Sequence, residues 1–111
     1  MASFEDHVRA ALDALPAHIA AALENVAVVV EDENPEDPDL FGLYDGTPLP
    51  ERTSITAGRL PDRIAVYRLP LEDEFGHDPE ALEREIRVTV LHELGHYFGI
   101  DEDRIAELGY E

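Results

Sequence analysis

Two histidines and a glutamate in the last twenty residues of the sequence have the spacing of a metal site. His92, Glu93 and His96 form the pattern His-Glu-x-x-His. On a helix, positions i and i+4 lie on one face, so both imidazoles can bind one ion at Zn–N distances of about 2.0 to 2.1 Å. Glu93 lies about 100° around the helix, where its carboxylate reaches the open coordination position of the ion. The spacing predicts a zinc site with His92 and His96 as ligands and Glu93 as general base.

The pattern continues as x-x-Gly-x-x-acid and supplies a candidate third ligand. Gly99 favours a left-handed backbone, which ends the helix and turns the chain back toward the metal. Glu102 then falls where a third ligand belongs, and its neighbours Asp103 and Asp101 are the alternatives. With the composition of this chain, the whole pattern arises by chance in roughly 0.04% of sequences. We therefore interpret it as a metal site and not as an amphipathic helix with two packed histidines.

The chemistry that these residue types predict is hydrolysis by an activated water. Zinc lowers the pKa of a water that it binds to near 7, and a neighbouring carboxylate takes the proton as the water attacks a carbonyl. The chain contains no cysteine, which excludes thiolate ligands and cysteine nucleophiles. A donor for the developing oxyanion is also needed. The candidate donors are Tyr44, Tyr97, Tyr110 and His77. Packing or surface exposure is the alternative explanation for the presence of each of these residues.

The segment from Val90 to Tyr110 resembles the small bacterial zincin-like metallopeptidases, whose motif is His-Glu-x-x-His-x-x-Gly-x-x-Asp. The order of helix, strand, Gly/Pro loop, strand and motif helix is similar over the whole chain. The resemblance implies one α+β domain over residues 1–111, with N-terminal helices, a small twisted mixed sheet, a motif helix and a short C-terminal helix. It also implies a single zinc held by His92, His96 and an acidic third ligand, and peptide-bond hydrolysis assisted by Glu93.

The chain departs from the family pattern at two points. Glu102 occupies the position of the family's Asp, and a glutamate is one methylene longer but still able to bind zinc. Zincins with a longer His motif have a methionine-containing turn beneath the metal, whereas Met1 is the only methionine here. That support is absent or replaced, and the segment Leu108-Gly109-Tyr110 is the candidate replacement.

The periodicity of apolar residues predicts the elements that position the motif. Asp78 as N-cap and Pro79 at the first position begin a helix that runs to about residue 98. Its apolar residues recur at intervals of four: Leu82, Ile86, Val90, Leu94 and Phe98. Other helices are predicted over 4–14, where Ser3 and Asp6 form a capping box, over 17–24 and over 103–108.

Three strands are predicted from their β-branched or alternating residues. Val26–Val30 is typical of a buried strand, Leu40–Tyr44 is a short strand within a loop-rich region, and Arg63–Leu69 is a strand closed by Pro70. If either of the last two lies at a sheet edge near the metal, it can hold the backbone of a substrate by strand addition.

The net charge and the apolar pattern of the chain limit the partners and the compartment that we expect for it. The formal net charge is −18, from 26 acidic and 8 basic residues. Such a field repels phosphate backbones and anionic lipids, so we expect neither nucleic acid nor a membrane as partner. The segment Met1–Asp6 lacks the pattern of a signal peptide, and no apolar run approaches the ~18 residues of a membrane span, so we expect a cytoplasmic protein.

The leading functional prediction is a zinc-dependent metallopeptidase that acts on a peptide or protein substrate. Two alternatives are open. A chain of 111 residues has little material for the second wall of a peptide cleft, which favours a catalytically inactive zincin-fold binding or regulatory module. The same activated water would also hydrolyse a non-peptide amide or ester. A homodimer is a further expectation, because a second copy could supply the missing wall.

Overall fold

The computed structural model describes residues 3–46 and 62–107 and shows an α+β fold. This confirms the predicted fold class. The elements in chain order are α1 (Phe4–Asp13), α2 (Ala17–Ala22), a 3-10 turn (Leu23–Asn25), β1 (Val26–Glu31), β2 (Gly42–Asp45), β3 (Asp62–Tyr67), α3 (Arg68–Phe75), α4 (Pro79–Tyr97) and α5 (Glu102–Glu107).

The three described strands form a mixed sheet in the order β1-β3-β2, which confirms the predicted small mixed sheet. β1 runs parallel to β3, and β2 runs antiparallel to it. Because β3 is paired on both sides, the expectation that Arg63–Leu69 could bind a substrate backbone is wrong. Among the described strands, β2 and β1 lie at the edges, so only the Leu40–Tyr44 region keeps that possibility near the motif.

α4 is anchored along its length by the rest of the fold. It packs against α1, α3, β2 and β3. Each fully buried Ile or Leu side chain in such an interface stabilises the fold by about 1.5 to 3 kcal/mol. The main cluster comprises Phe4, Val8, Ala11, Leu15, Val66, Leu71, Leu82, Ile86 and Val90, and a second comprises Val26, Ile64, Leu94 and Tyr97. The second cluster joins the last turns of α4 to β1 and β3, so it holds the end of this helix against the sheet.

The helix starts agree with the sequence prediction. Ser3 Oγ accepts a hydrogen bond from the Asp6 N–H at 3.2 Å, and Asp6 Oδ2 accepts one from the Ser3 N–H at 3.0 Å, so the capping box is present. Asp78 caps α4 by accepting from the N–H groups of Glu80 and Ala81, and Pro79 takes the first helical position. Both helices therefore begin where their first orphan N–H groups find a side-chain acceptor.

A helix replaces the end of the predicted strand Arg63–Leu69. β3 ends at Tyr67 and α3 begins at Arg68, so the strand prediction is wrong for its last two residues. Pro70 does not close a strand: it lies in the first turn of α3, where a missing N–H needs no partner. Leu71, fully buried, then anchors α3 in the core.

The remaining predicted elements differ only in detail. The strand predicted over Val26–Val30 extends to Glu31. Only Val26 is buried, Ala27 is exposed and residues 28–31 are partly exposed, because β1 lies at an edge of the described sheet. The helix predicted over 103–108 is described over Glu102–Glu107. The segment Leu108-Gly109-Tyr110, the candidate support beneath the metal, lies outside the described residues.

Candidate metal centre

His92, Glu93 and His96 converge on one face of the last turns of α4. The rings of His92 and His96 lie with their centroids 5.1 Å apart and their planes at 71°. One donor atom from each of the three residues lies within 4.8 Å of the other two, and all three side chains are largely shielded from solvent. Helical spacing alone predicts this convergence, because i and i+4 share a face.

The donors are suited to a zinc ion. Imidazole nitrogen and carboxylate oxygen are the ligand atoms that zinc takes from proteins that lack thiolates. The two histidines come from one rigid helix and lie at a separation that one ion bridges with small side-chain adjustments. His92 and His96 therefore have the residue type and the spacing of two candidate zinc ligands.

The Glu93 carboxylate is held from the side of the sheet. The backbone N–H of Tyr44 in β2 donates to Glu93 Oε1 at 2.9 Å. The second oxygen, Oε2, lies 3.7 Å from His92 Nε2, and the side chain is only 11% exposed. One oxygen is thus bound to the strand while the other lies beside the two candidate metal ligands. The sequence predicted the second relationship but not the first.

A cleft of about 560 Å³ opens over the two histidines and the glutamate. α4 and the turn after it form one wall, and the segment from Leu40 to Gly46, which includes β2, forms the other. The cleft volume falls in the range of small-molecule and peptide-binding sites in proteins. Its position brings the predicted strand Leu40–Tyr44 and two of the predicted metal ligands, His92 and His96, to the same surface.

Gly42 allows β2 to lie close to α4. A Cβ atom at this position would be 2.5 Å from Thr89 Cγ2 and 2.9 Å from the carbonyl oxygen of Ala65, both far inside normal contact distance. Only glycine leaves space for this approach, and the approach carries the Tyr44 N–H to Glu93. A glycine in the middle of the predicted strand Leu40–Tyr44 is the sequence signal that would have indicated it.

Tyr44 is fixed by two further contacts. Its hydroxyl donates to Asp62 Oδ2 at 2.6 Å. Its ring packs edge-on against Tyr97, with centroids 5.9 Å apart. Asp62 is 6% exposed, so its bond to Tyr44 is shielded from water. These contacts hold the backbone of β2 in the position where its N–H meets Glu93.

The chain turns back after α4 as predicted. Gly99 has a φ of 80°, in the left-handed region that glycine adopts without strain. The N–H groups of Gly99 and Ile100 donate to the carbonyls of His96 and Gly95 at 2.9 Å each, which closes the end of the helix.

The third-ligand prediction is only partly described. The backbone of Glu102 begins α5, but its side chain lies outside the described residues, so Glu102 as ligand stays a prediction. The Asp101 and Asp103 side chains are exposed, and neither belongs to the described donor cluster. Asp101 Oδ1 accepts from the Arg104 N–H at 2.9 Å, so Asp101 caps α5.

The four candidate oxyanion donors lie in different places. His77 precedes α4, about 20 Å along the helix axis from His92 at a rise of ~1.5 Å per residue. Tyr97 is buried beneath the site, the hydroxyl of Tyr44 is bonded to Asp62, and Tyr110 lies outside the described residues. Of the three candidates within the described residues, only Tyr44 lines the cleft.

The remaining histidines near the N-terminus take no part in the cleft. His7 Nδ1 lies 2.6 Å from Glu83 Oε2 and joins α1 to α4, and His18 is exposed on α2. This agrees with their prediction as surface or core residues.

The comparison with known families identifies the class of this chain. The sequence model of the zincin-like metallopeptidase family matches residues 23–110. The chain therefore belongs to the zincin-like metallopeptidase family, as its motif indicated, and members of that family hold a metal ion that is usually zinc. No curated protein matches the chain.

Within residues 3–46 and 62–107, no helix combines the length and the apolar character that crossing a bilayer requires.

Proposed function

We propose that the chain is a zinc-dependent peptidase in which His92 and His96 bind the ion and Glu93 is the general base. Glu102 is the proposed third ligand. The observation that carries the proposal is the convergence of two imidazoles and one carboxylate, with donor atoms within 4.8 Å, at the floor of an open cleft beside a strand edge.

Bound zinc supplies a Lewis acid that polarises the substrate carbonyl and lowers the pKa of the attacking water. Glu93 moves the proton. Its Oε2 accepts the proton of the attacking water and then donates it to the nitrogen of the leaving amine. Because Oε1 is bound to the Tyr44 N–H at 2.9 Å, the carboxylate keeps one orientation through both transfers. Burial of Glu93 limits competition from bulk water for the same proton.

Among the described strands, β2 pairs with a neighbour on one side only, and its other edge supports a peptide as substrate. The carbonyl of Phe41 accepts from the Tyr67 N–H at 2.9 Å, so Phe41 directs its backbone groups toward β3. Backbone groups alternate along a strand, and Gly42 therefore directs its N–H and C=O toward the cleft. An extended peptide lying beside β2 would pair with these groups and place its carbonyl over the histidines.

This strand edge favours a peptide over the non-peptide amide or ester that the same donors would hydrolyse. Only a peptide presents N–H and C=O groups at the spacing of a strand. The catalytically inactive binding module stays the alternative that the following experiments test.

Metal binding is tested first, by elemental analysis of the full-length chain purified without chelator. We expect about one zinc per chain, lost in His96→Ala and retained in the matched control His18→Ala, whose side chain is exposed on α2. Absence of zinc from the unaltered chain, even after zinc is added back, would refute the proposal.

Activity is tested next with a mixture of unstructured peptides and mass-spectrometric detection of the products. We expect Glu93→Gln to retain zinc and to lower turnover by roughly 100-fold or more, because a positioned general base contributes about that factor. The control Glu80→Gln removes the same charge at the exposed N-terminal end of α4 and should leave turnover unchanged. A chain that binds zinc and cleaves none of the peptides would be an inactive module.

A further inference from the structure

A second cavity, of about 210 Å³, continues the cleft toward the N-terminal end of α4. It shares Leu40, Gly42, His92 and Glu93 with the larger cleft, so a ligand that lies over the histidines reaches both. The volume is below that of whole-ligand sites, which span about 300 to 1,000 Å³, and suits one side chain of a longer ligand.

The walls of this cavity are mainly apolar between His92 and Glu93 at one end and Glu85 at the other. Leu40 and Phe41 line it on the strand side and Val88 lines it on α4. Phe41 is fixed there by an edge-on contact with Phe75, with ring centroids 5.8 Å apart. Walls of this kind bind the methylene stem of a side chain.

Glu85 supplies a carboxylate at the end away from the metal-binding histidines. Its side chain is 27% exposed, so it lies at the rim of the cavity. The nearest described cation, Arg84 Nε, is 4.0 Å from Glu85 Oε1, too far for a hydrogen bond. One turn further along α4, Thr89 Oγ1 donates to the Glu85 carbonyl at 2.8 Å and so leaves the carboxylate for other partners.

We propose that this cavity, defined by Leu40, Phe41, Val88 and Glu85, is a side-chain subsite that takes an arginine or lysine of the substrate. Its apolar walls cover the stem of that side chain, and Glu85 pairs with the charged end. The net charge of −18 adds a field that concentrates cationic peptides near the cleft. The inference rests on the proposed peptidase function, because it makes the cavity part of that active site.

Binding without turnover is the first test. The probes are N-acetyl-arginine amide and N-acetyl-citrulline amide, which have the same shape and differ in charge. They are titrated into the full-length chain while the methyl resonances of Val88 are followed by NMR. We expect the arginine probe to shift those resonances and to bind roughly twofold to fivefold more tightly than the citrulline probe.

Variants assign the preference to the cavity. In Glu85→Gln the two probes should bind equally, whereas Glu80→Gln, which removes the same charge outside the cavity, should keep the preference. Equal binding of the two probes to the unaltered chain, no shift at Val88, or an equal loss of preference in both variants would overturn the proposal.

Cleavage separates this inference from the proposed function. Quenched fluorescent peptides that differ only in having Arg, Leu or Glu at one position are incubated with the zinc-loaded chain, and the position is varied along the peptide. Cleavage that favours Arg at one position, and loses that preference in Glu85→Gln, supports both proposals. Cleavage with no preference for Arg at any position overturns the subsite alone. Arginine-selective binding without cleavage of any peptide overturns the peptidase function, and with it the role of the cavity in catalysis.

Discussion

Replacement of Gly42 by alanine tests how closely β2 approaches α4. The new Cβ would lie 2.5 Å from Thr89 Cγ2 and 2.9 Å from the Ala65 carbonyl oxygen. Neither atom can move away without loss of stability. Thr89 Cγ2 belongs to a β-branched side chain whose hydroxyl is bonded to the Glu85 carbonyl at 2.8 Å, and the Ala65 oxygen belongs to the backbone. The strand must shift instead, and overpacking of this kind costs about 1 to 3 kcal/mol of unfolding free energy.

A second substitution, Thr89→Ser, relieves half of this contact. Serine lacks the Cγ2 methyl but keeps the hydroxyl that bonds to Glu85. Thr89→Ser by itself should therefore lower the free energy of unfolding by about 0.8 kcal/mol, the contribution of one buried methyl group. In the double variant the 2.5 Å contact is gone and only the contact with Ala65 remains. The loss of stability should therefore fall short of the sum of the two single losses by about 0.5 kcal/mol or more, as expected for residues in contact.

Urea unfolding followed by circular dichroism measures all four free energies. Leu43→Ala is the matched control on the same strand: its side chain is 41% exposed, and we expect a change of about 0.5 kcal/mol or less. Two results would show that β2 does not lie against α4 at the described distance. One is that Gly42→Ala has the same urea midpoint of unfolding as the unaltered chain, and the other is that the stability losses of the two single variants sum to that of the double variant. The peptidase assay should also detect the shift, because the Tyr44 N–H moves away from Glu93.

Three further predictions concern the parts of the fold that support the site. The Asn34 side chain makes three hydrogen bonds, one to the Tyr67 hydroxyl and two to backbone N–H groups. Asn34→Ala removes all three and should lower the free energy of unfolding, measured with urea, by about 2 to 3 kcal/mol, whereas Tyr67→Phe removes one and should lower it by about 1 kcal/mol. Equal losses in the two variants would contradict this. Asp78→Ala should lower the free energy of unfolding by about 1 kcal/mol because it removes the N-cap of α4, whereas Asp78→Ser should keep most of that stability. Similar losses in both variants would show that the loss of stability does not come from the cap. The backbone and side-chain hydrogen bonds to Ser3 lower the pKa of Asp6 in the folded state. Ionised Asp6 therefore stabilises the fold above about pH 4, and this contribution is lost as the pH falls through the lowered pKa, so the melting curves of the unaltered chain and Asp6→Ala should converge in acid. A stability difference that stays constant with pH would refute that assignment.

The sequence was sufficient to predict the parts of the site that one helix determines. The separation of His92 and His96 by four residues places both on one face whatever the rest of the fold does. Asp78 and Pro79 set the start of α4, and Gly99 sets its end, because each acts on neighbouring backbone groups. These are local effects, and the structure confirms each of them.

The sequence was insufficient where two distant segments meet. The bond from the Tyr44 N–H to Glu93 joins residues 49 positions apart and depends on the antiparallel pairing of β2 with β3, which no local pattern specifies. The end of β3 was missed for a different reason. Pro70 is compatible both with the end of a strand and with the first turn of a helix, and the packing of Leu71 into the core decides between them.

The position of β1 has a consequence for how this protein behaves in acid. Among the described strands, β1 is hydrogen bonded only to β3, and its sequence from Val26 to Val30 is rich in β-branched residues that are partly exposed. An open strand of this kind is a template for another copy of itself. At neutral pH the net charge of −18 keeps copies apart, but the sequence pI is about 4.3. As the pH approaches that value the repulsion disappears while the strand edge remains, so acidification should lead to association through β1 before the fold itself is lost.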